Sequence, residues 1–289
     1  MDSLRDTVAF LKCGNNFKET LQEAIKLIGG IKGLKSPLIL KPNICTGNDH
    51  TCCANTKIEA VEALIDLILK DNKDIEINIV ESDSGSKYAD KAFKRYGYND
   101  YVDRLSSQGV KISLTNLSKS PLTQFQFNGA YFQNPELPVE LADFGGLANI
   151  ALAKTHSLTM ITGALKNIFG FLPRKDQAFY HPKIHEVILD LNRMFRSNLC
   201  LIDGRMGLEG VIEGTPRSLG CIILGRNPVS VDATMARAMC FDPEKIRHIV
   251  EAERYGLGNM NPNVIGNELT TCKVEFKTPS DLKTNAVIE

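Results

Sequence analysis

The stretch AKTHSLTMITGALKNIFG, residues 153 to 170, sets Lys154, His156, Lys166 and Asn167 among apolar neighbours. A charged group taken out of water needs a partner or a ligand, so residues of this kind in an apolar run point to a site. Lysine binds carboxylate or phosphate as a compact charge, and its pKa falls when it is enclosed. Histidine titrates near neutrality, which makes His156 the natural general acid or base. Thr162 and Asn167 add hydrogen-bonding groups beside them. Further on, HPKIH places His181 and His185 four apart, a spacing at which two imidazoles on one helix face can hold a divalent metal. Pro182 allows the alternative that His181 stands just outside that helix as a cap. In CTGNDHTCC, 45 to 53, Cys45, His50, Cys52 and Cys53 are soft donors suited to zinc, copper(I) or an iron-sulfur cluster, though their spacing matches no standard structural zinc pattern. The loop DGRMGLEGVIEGTPRSLG, 203 to 220, is glycine-rich and carries Asp203, Glu209 and Glu213. It contains no Walker A sequence and no dinucleotide fingerprint, so ATP hydrolysis and ordinary NAD chemistry lose support.

The elements that must position these groups alternate between β-branched runs and amphipathic helical patterns. Strands are expected at 7–13, 37–42, 75–82, 148–153, 199–203 and 219–224. Helices are expected at 18–31, 56–71, 183–196 and 229–240, the second capped by Thr56 or Asn55. This order is that of an α/β protein with a mostly parallel sheet flanked by helices. Residues 115 to 138 differ: few charges, several amides and aromatics, and prolines at 121, 135 and 138 predict a small antiparallel insertion, a possible lid. No linker separates the halves, so one interwoven domain spans 1 to 289.

Ligands of open α/β sheets bind beyond the carboxyl ends of the strands. Lys41 and Asn43 follow LIL, Glu81 and Asp83 follow INIV, Lys154 and His156 follow IALA, and Asp203 follows LCLI. These ends are expected to converge, with Lys41, Asn43, Thr162, Asn167 and Glu209 binding a substrate and His156, Lys166, Lys154 and Asp203 doing the chemistry. Asp232 either caps its own helix or points toward that site.

The chain has 289 residues with 34 basic and 34 acidic side chains, so no polyanion-binding footprint exists and neither nucleic acid nor an anionic membrane is an expected partner. No apolar stretch is long enough to span a bilayer and the start lacks a signal pattern, which places the protein in the cytoplasm as an expectation. Eight cysteines without a secretion signal read as reduced thiols.

KPN after a strand, AKTHSLTMITGALKNIFG with a histidine shortly after, LIDGRMGLEGVIEGTPRSLGCIILGRNPVSVDATMA and a late YGLG together resemble the family called domain of unknown function 362, over roughly 36 to 258. The resemblance implies an iron-sulfur association, because many relatives carry a ferredoxin-like cysteine module; this chain has no CxxCxxC run. A more distant likeness is to the catalytic domain of nickel-pincer lactate racemase, in which a histidine, a cofactor-tethering lysine and a metal-ligating histidine follow in that order. His156, Lys166 and His181 keep the order and close spacing. The likeness implies His156 as an acid/base group, Lys166 as anchor for substrate or a nickel-type tethered cofactor, and His181 as metal ligand or second base.

The leading expectation is an enzyme for a small anionic substrate with lysine and histidine acid-base chemistry. Two alternatives stand beside it. One is an iron-sulfur or metal-linked redox protein using Cys45, Cys52 or Cys53 with a ferredoxin-like partner. The other is a non-catalytic ligand-binding or assembly protein, a homo-oligomer among its forms.

Overall fold

The computed structural model describes residues 4–31 and 33–279. In chain order the elements are β1 (Thr7–Lys12), α1 (Phe17–Leu27), β2 (Leu38–Pro42), α2 (Ile58–Asp71), β3 (Ile77–Glu81), α3 (Ala89–Arg95), α4 (Tyr98–Ser107), β4 (Ile112–Asn116), β5 (Leu122–Gln124), β6 (Glu136–Pro138) and β7 (Gly146–His156). There follow β8 (Met160–Ile161), α5 (Gly163–Asn167), α6 (Ile184–Met194), β9 (Leu199–Gly210), β10 (Gly214–Arg217), β11 (Cys221–Gly225), α7 (Pro228–Ala238), α8 (Arg247–Arg254) and β12 (Asn263–Gly266).

The large sheet runs β12-β1-β11-β9-β7-β2-β3-β4, with β10 beside β9 and β8 beside β7. From β9 to β4 every neighbouring pair is parallel, whereas β11 is antiparallel to both β9 and β1. The expected α/β class holds. Because strand side chains alternate between faces, each strand feeds two cores. Leu38, Leu40, Ile77 and Ile79 pack with the residues of α1, α2 and α4, while Ile39, Val80 and Ala151 pack with those of α5, α6, α7 and α8. The central strand β7 is buried along its whole length, as a parallel strand covered on both faces must be.

Several boundaries differ from the sequence expectation for identifiable reasons. The strands expected at 148–153 and 199–203 extend to His156 and Gly210 because their ends find partners in β8 and β10. The first helix stops at Leu27, since Gly29 and Gly30 take φ of 79° and 88°. Thr56 and Asn55 do not cap α2. Thr56 Oγ1 accepts from Asn43 N at 2.9 Å and Asn55 Oδ1 accepts from Cys45 N at 2.8 Å, so both close the 43–56 loop instead.

The antiparallel insertion exists as the β5–β6 pair. Asp190, buried on α6, accepts the backbone N–H groups of Ala130, Tyr131 and Phe132 at 3.0, 2.7 and 3.0 Å. The insertion therefore braces α6. None of its residues lines the cleft described below.

Asp232 caps a helix, but not its own. The start of α7 is capped by Asn227, whose Oδ1 accepts from Ser230 N at 2.8 Å. The fully buried Asp232 carboxylate instead accepts from Ala164 N at 2.6 Å and Leu165 N at 2.9 Å, at the first turn of α5. Gly163 makes room for it: the residue sits at φ 90°, and a Cβ there would lie 2.5 Å from Asp232 Oδ1. Burial pushes the Asp232 carboxyl up to about 7, with the two N–H groups pulling the other way. For an acid whose folded value is raised, the charging penalty is absent below the unfolded value of 3.8 and complete above about 7. We expect Asp232→Ala to cost about 2 to 4 kcal/mol, because two buried N–H groups lose their acceptor. That cost should be smaller at pH 8 than at pH 5, as urea unfolding at the two pH values will read.

Candidate active site

A cleft of about 300 Å³ opens beyond the carboxyl ends of β2, β3 and β7 and is lined by Lys41, Asn43, Glu81, Lys87, His156, Lys166, Asn167 and His181 among others. The convergence expected of Lys41, His156 and Lys166 is present. The lining carries Lys41, Lys87 and Lys166 beside the carboxylates of Glu81 and Asp176.

Two of those lysines share one carboxylate. Lys41 Nζ lies 2.6 Å from Glu81 Oε2, and Lys87 Nζ lies 3.7 Å from Glu81 Oε1, all three side chains being buried. Burial pulls the Lys41 amine below its ordinary value and Glu81 opposes that pull. Glu81 also accepts from Ile44 N and Ser82 N, at 3.2 and 2.9 Å, so both carboxylate oxygens are hydrogen-bonded, as a buried charge requires. Gly170 admits the pair: a Cβ there would come within 2.6 Å of Glu81 Oε1 and 2.7 Å of Lys41 Cε.

Lys166 differs from both. It has no carboxylate at ion-pair distance among the described residues, and its Nζ stands 5.1 Å from the Phe169 ring centroid. Burial first, then the charge of Lys154, lowers the Lys166 amine to about 8. About a tenth of the amine is therefore neutral at pH 7. His156 has the opposite character. Its Nδ1 accepts from Leu158 N at 3.1 Å, so the ring proton sits on Nε2. Burial, followed by Lys166, His181 and Lys154, drives its pKa far below the ordinary value. The imidazole is thus a neutral donor through Nε2–H. His181 is exposed at the rim and likewise shifted downward, by desolvation and then by Lys166.

A row of buried amides ends in this cleft. Asn43 Nδ2 donates to Asn167 Oδ1 at 3.1 Å, Asn167 Nδ2 donates to Asn149 Oδ1 at 2.8 Å, and Asn149 Nδ2 reaches Ala164 O at 2.9 Å and Ser197 Oγ at 3.4 Å. Asn167 Nδ2 also lies 3.1 Å from Lys41 O and 3.3 Å from Ile150 O. At the cleft end, Asn43 Oδ1 is buried and has no partner.

The family assignment follows the same residues. A model of the Domain of unknown function (DUF362) matches residues 38–237, a span that holds every residue lining the cleft. The chain belongs to the DUF362 family. A thylakoid-associated protein of Synechocystis sp. is 24% identical to this DUF362 chain over 261 residues, covering 82% of this chain and 74% of the relative.

Other expected site residues of the DUF362 chain lie elsewhere. Lys154 is buried behind the cleft, where its Nζ meets Ala54 O at 2.8 Å, Val211 O at 3.2 Å and Cys45 Sγ at 3.3 Å. Its three N–H bonds are spent on holding two loops, so it is a positioning group. Asp203 forms a two-point pair with Arg205, at 2.9 and 2.7 Å, and faces Cys52 and Cys53 rather than the cleft. Glu209 accepts from Lys277 N at 2.9 Å on the far side of His156. Thr162 Oγ1 donates to Leu152 O at 3.1 Å and shapes the entry to α5.

His181 and His185 do not form a pair. A 3-10 turn covers Gln177–Lys183 and α6 begins afresh at Ile184, so the spacing of four does not lie on one helix. His185 stacks on buried His248 with ring centroids 6.0 Å apart. Among the described residues no three His, Cys, Asp or Glu side chains gather at metal-holding distance. Cys45 Sγ approaches Ala54 O at 3.2 Å, Cys52 is exposed and Cys53 is buried, an arrangement that does not fit an iron-sulfur cluster. Lys87 and Asn149 were missed by sequence reasoning, although Lys87 ends the turn-forming run SDSGSK and Asn149 interrupts an apolar strand.

Competitive acetylation with acetic anhydride, read by mass spectrometry across pH, should give Lys166 a labelling midpoint near 8. That compares with about 10.4 for an ordinary lysine.

Proposed function

We propose that this DUF362 protein is an enzyme that binds a small carboxylate bearing a hydroxyl or amino group and moves a proton on the carbon next to the carboxylate. The observation that carries the reading is the juxtaposition, in one cleft, of a lysine amine lowered to about 8 and an imidazole fixed as an Nε2–H donor. Two titratable groups with environments that set them apart in this way supply a base and a donor. The neutral Lys166 amine takes the carbon-bound proton, the electron pair passes to the adjacent carboxylate as an enolate, and His156 Nε2–H donates a hydrogen bond to the oxygen where charge develops. Lys41 and Lys87 supply positive potential at the same wall. The unpartnered Asn43 Oδ1 asks for an O–H or N–H on the substrate. Reprotonation from either face of the carbon makes the reaction an exchange or an epimerisation.

A tethered nickel-type group is the second reading, favoured by Lys166 and His181 lining one cleft, with no ion pair to either among the described residues. Lys166 would hold it and His181 would ligate its metal, and the group would supply an electron-pair acceptor. In either case the substrate is a soluble anion, and we place the protein in the cytoplasm without a nucleic-acid partner. The balanced charge supports this, as does the absence, among the described residues, of a helix long and apolar enough to cross a membrane.

Proton exchange is directly visible. Incubated in D₂O with a panel of 2-hydroxy and 2-amino carboxylates, the protein should erase the α-proton signal of at least one in proton NMR. The rate should rise with pH and level off above about 8. Lys166→Ala should lower it by about 10²- to 10⁴-fold, and His156→Ala similarly. Absence of exchange across the panel would sink the proton-transfer reading.

A further inference from the structure

A second cavity lies apart from the cleft. It has about 350 Å³, within the range of roughly 300 to 1,000 Å³ found for small-molecule sites, and it lies at the other end of the sheet. Its wall includes Asn198 and Leu199 at the start of β9, Pro228 at the start of α7, and Leu34 and Leu257. β9 runs parallel to β7, whose far end carries His156, so the sheet separates this cavity from the cleft.

Three arginines, Arg5, Arg196 and Arg226, line it, and no acidic side chain does so among the described residues. Arg5 and Arg196 form no ion pair among the described residues. Arg226 is set in place from behind, its Nη2 donating to Ile28 O at 3.2 Å and Gly30 O at 2.8 Å, carbonyls at the end of α1. The positive end of the α7 dipole opens on the same space, beside Asn227 and Pro228. A second, independent feature points to a ligand. Asn192 is 2% exposed, and its Nδ2 is committed to Leu165 O and Ile188 O, both at 2.8 Å. Its Oδ1 is buried with no partner on the cavity wall. A buried acceptor left in this state is costly unless a donor arrives from the cavity.

We propose that this cavity is a second ligand site, for a small phosphate monoester whose body carries hydroxyl or amino donors. The phosphate sits against Arg196 and Arg5 at the α7 terminus, since guanidinium groups and a helix N-terminus are complementary to a dianion. The donor-bearing body lies over Leu34, Leu199 and Leu257 and donates to Asn192 Oδ1. The site is independent of the chemistry assigned to the cleft.

Isothermal titration calorimetry on the full chain tests it, with adenosine 5′-monophosphate and glucose 6-phosphate as probes and adenosine and glucose as their phosphate-free controls. At least one phosphate should bind, at least tenfold more tightly than its control, and more weakly as salt is raised. Arg196 is exposed, so Arg196→Glu should keep the circular dichroism spectrum and weaken binding at least tenfold. Arg196→Gln should give an intermediate loss, and Lys166→Ala none. Binding of neither probe to the wild type overturns the proposal. So does binding indifferent to Arg196→Glu, and binding lost in Lys166→Ala moves the ligand to the cleft.

Discussion

The site depends on one carboxylate. Asp232, buried on α7, grips the amides of Ala164 and Leu165 in α5, a helix of only five residues that could not hold itself together in isolation. Lys166 and Asn167 both belong to that helix. Their positions in the cleft are therefore inherited from a contact made between two elements far apart in the chain. Gly163 is the complement of this contact, because the space a Cβ would need is taken by the carboxylate oxygens. The α5 carbonyls are held as well: Asn149 donates to Ala164 O and Asn192 to Leu165 O. A short helix clamped at both its donors and its acceptors can present a buried amine without wandering.

Within the cleft, the sign of each group follows from what surrounds it. Glu81 is shared between Lys41 and Lys87, which leaves those lysines as a fixed, largely compensated wall. Lys166 has no such compensation, and so burial is free to lower its pKa. The single N–H of Leu158 decides the His156 tautomer and turns a residue usually thought of as a base into a donor. Base and donor roles are thus distributed by the environment and not by residue type.

Much of the architecture was legible in the sequence because strands covered on both faces write continuous apolar runs, and the polar residues closing those runs mark the functional edge. Lys41, Asn43 and His156 were found this way, Lys166 and Asn167 as polar residues in an apolar run and His181 in the HPKIH segment, and all line the cleft. The same rule misled for Lys154 and Asp203. Each also closes a strand, but one finds loop carbonyls and the other finds Arg205, partners that no local pattern announces. The His181 and His185 spacing misled because helix periodicity was assumed across a break at Lys183. α5 left no periodic signal at all, being too short for one, and its anchor lies some seventy residues on in the sequence.

The buried amide row has a direction. Each side chain turns its N–H toward the next oxygen inward, so every dipole is aligned and the buried, unpartnered oxygen of Asn43 is the outer pole of the series. Aligned hydrogen bonds polarise one another, which makes that terminal oxygen a stronger acceptor than a lone amide. Turning Asn43 alone would bring two amide oxygens face to face. Turning the whole row would set amide oxygens against the carbonyls of Lys41, Ile150 and Ala164. The row is therefore locked by the main chain, and the orientation of the unpartnered Asn43 oxygen is inherited from those carbonyls.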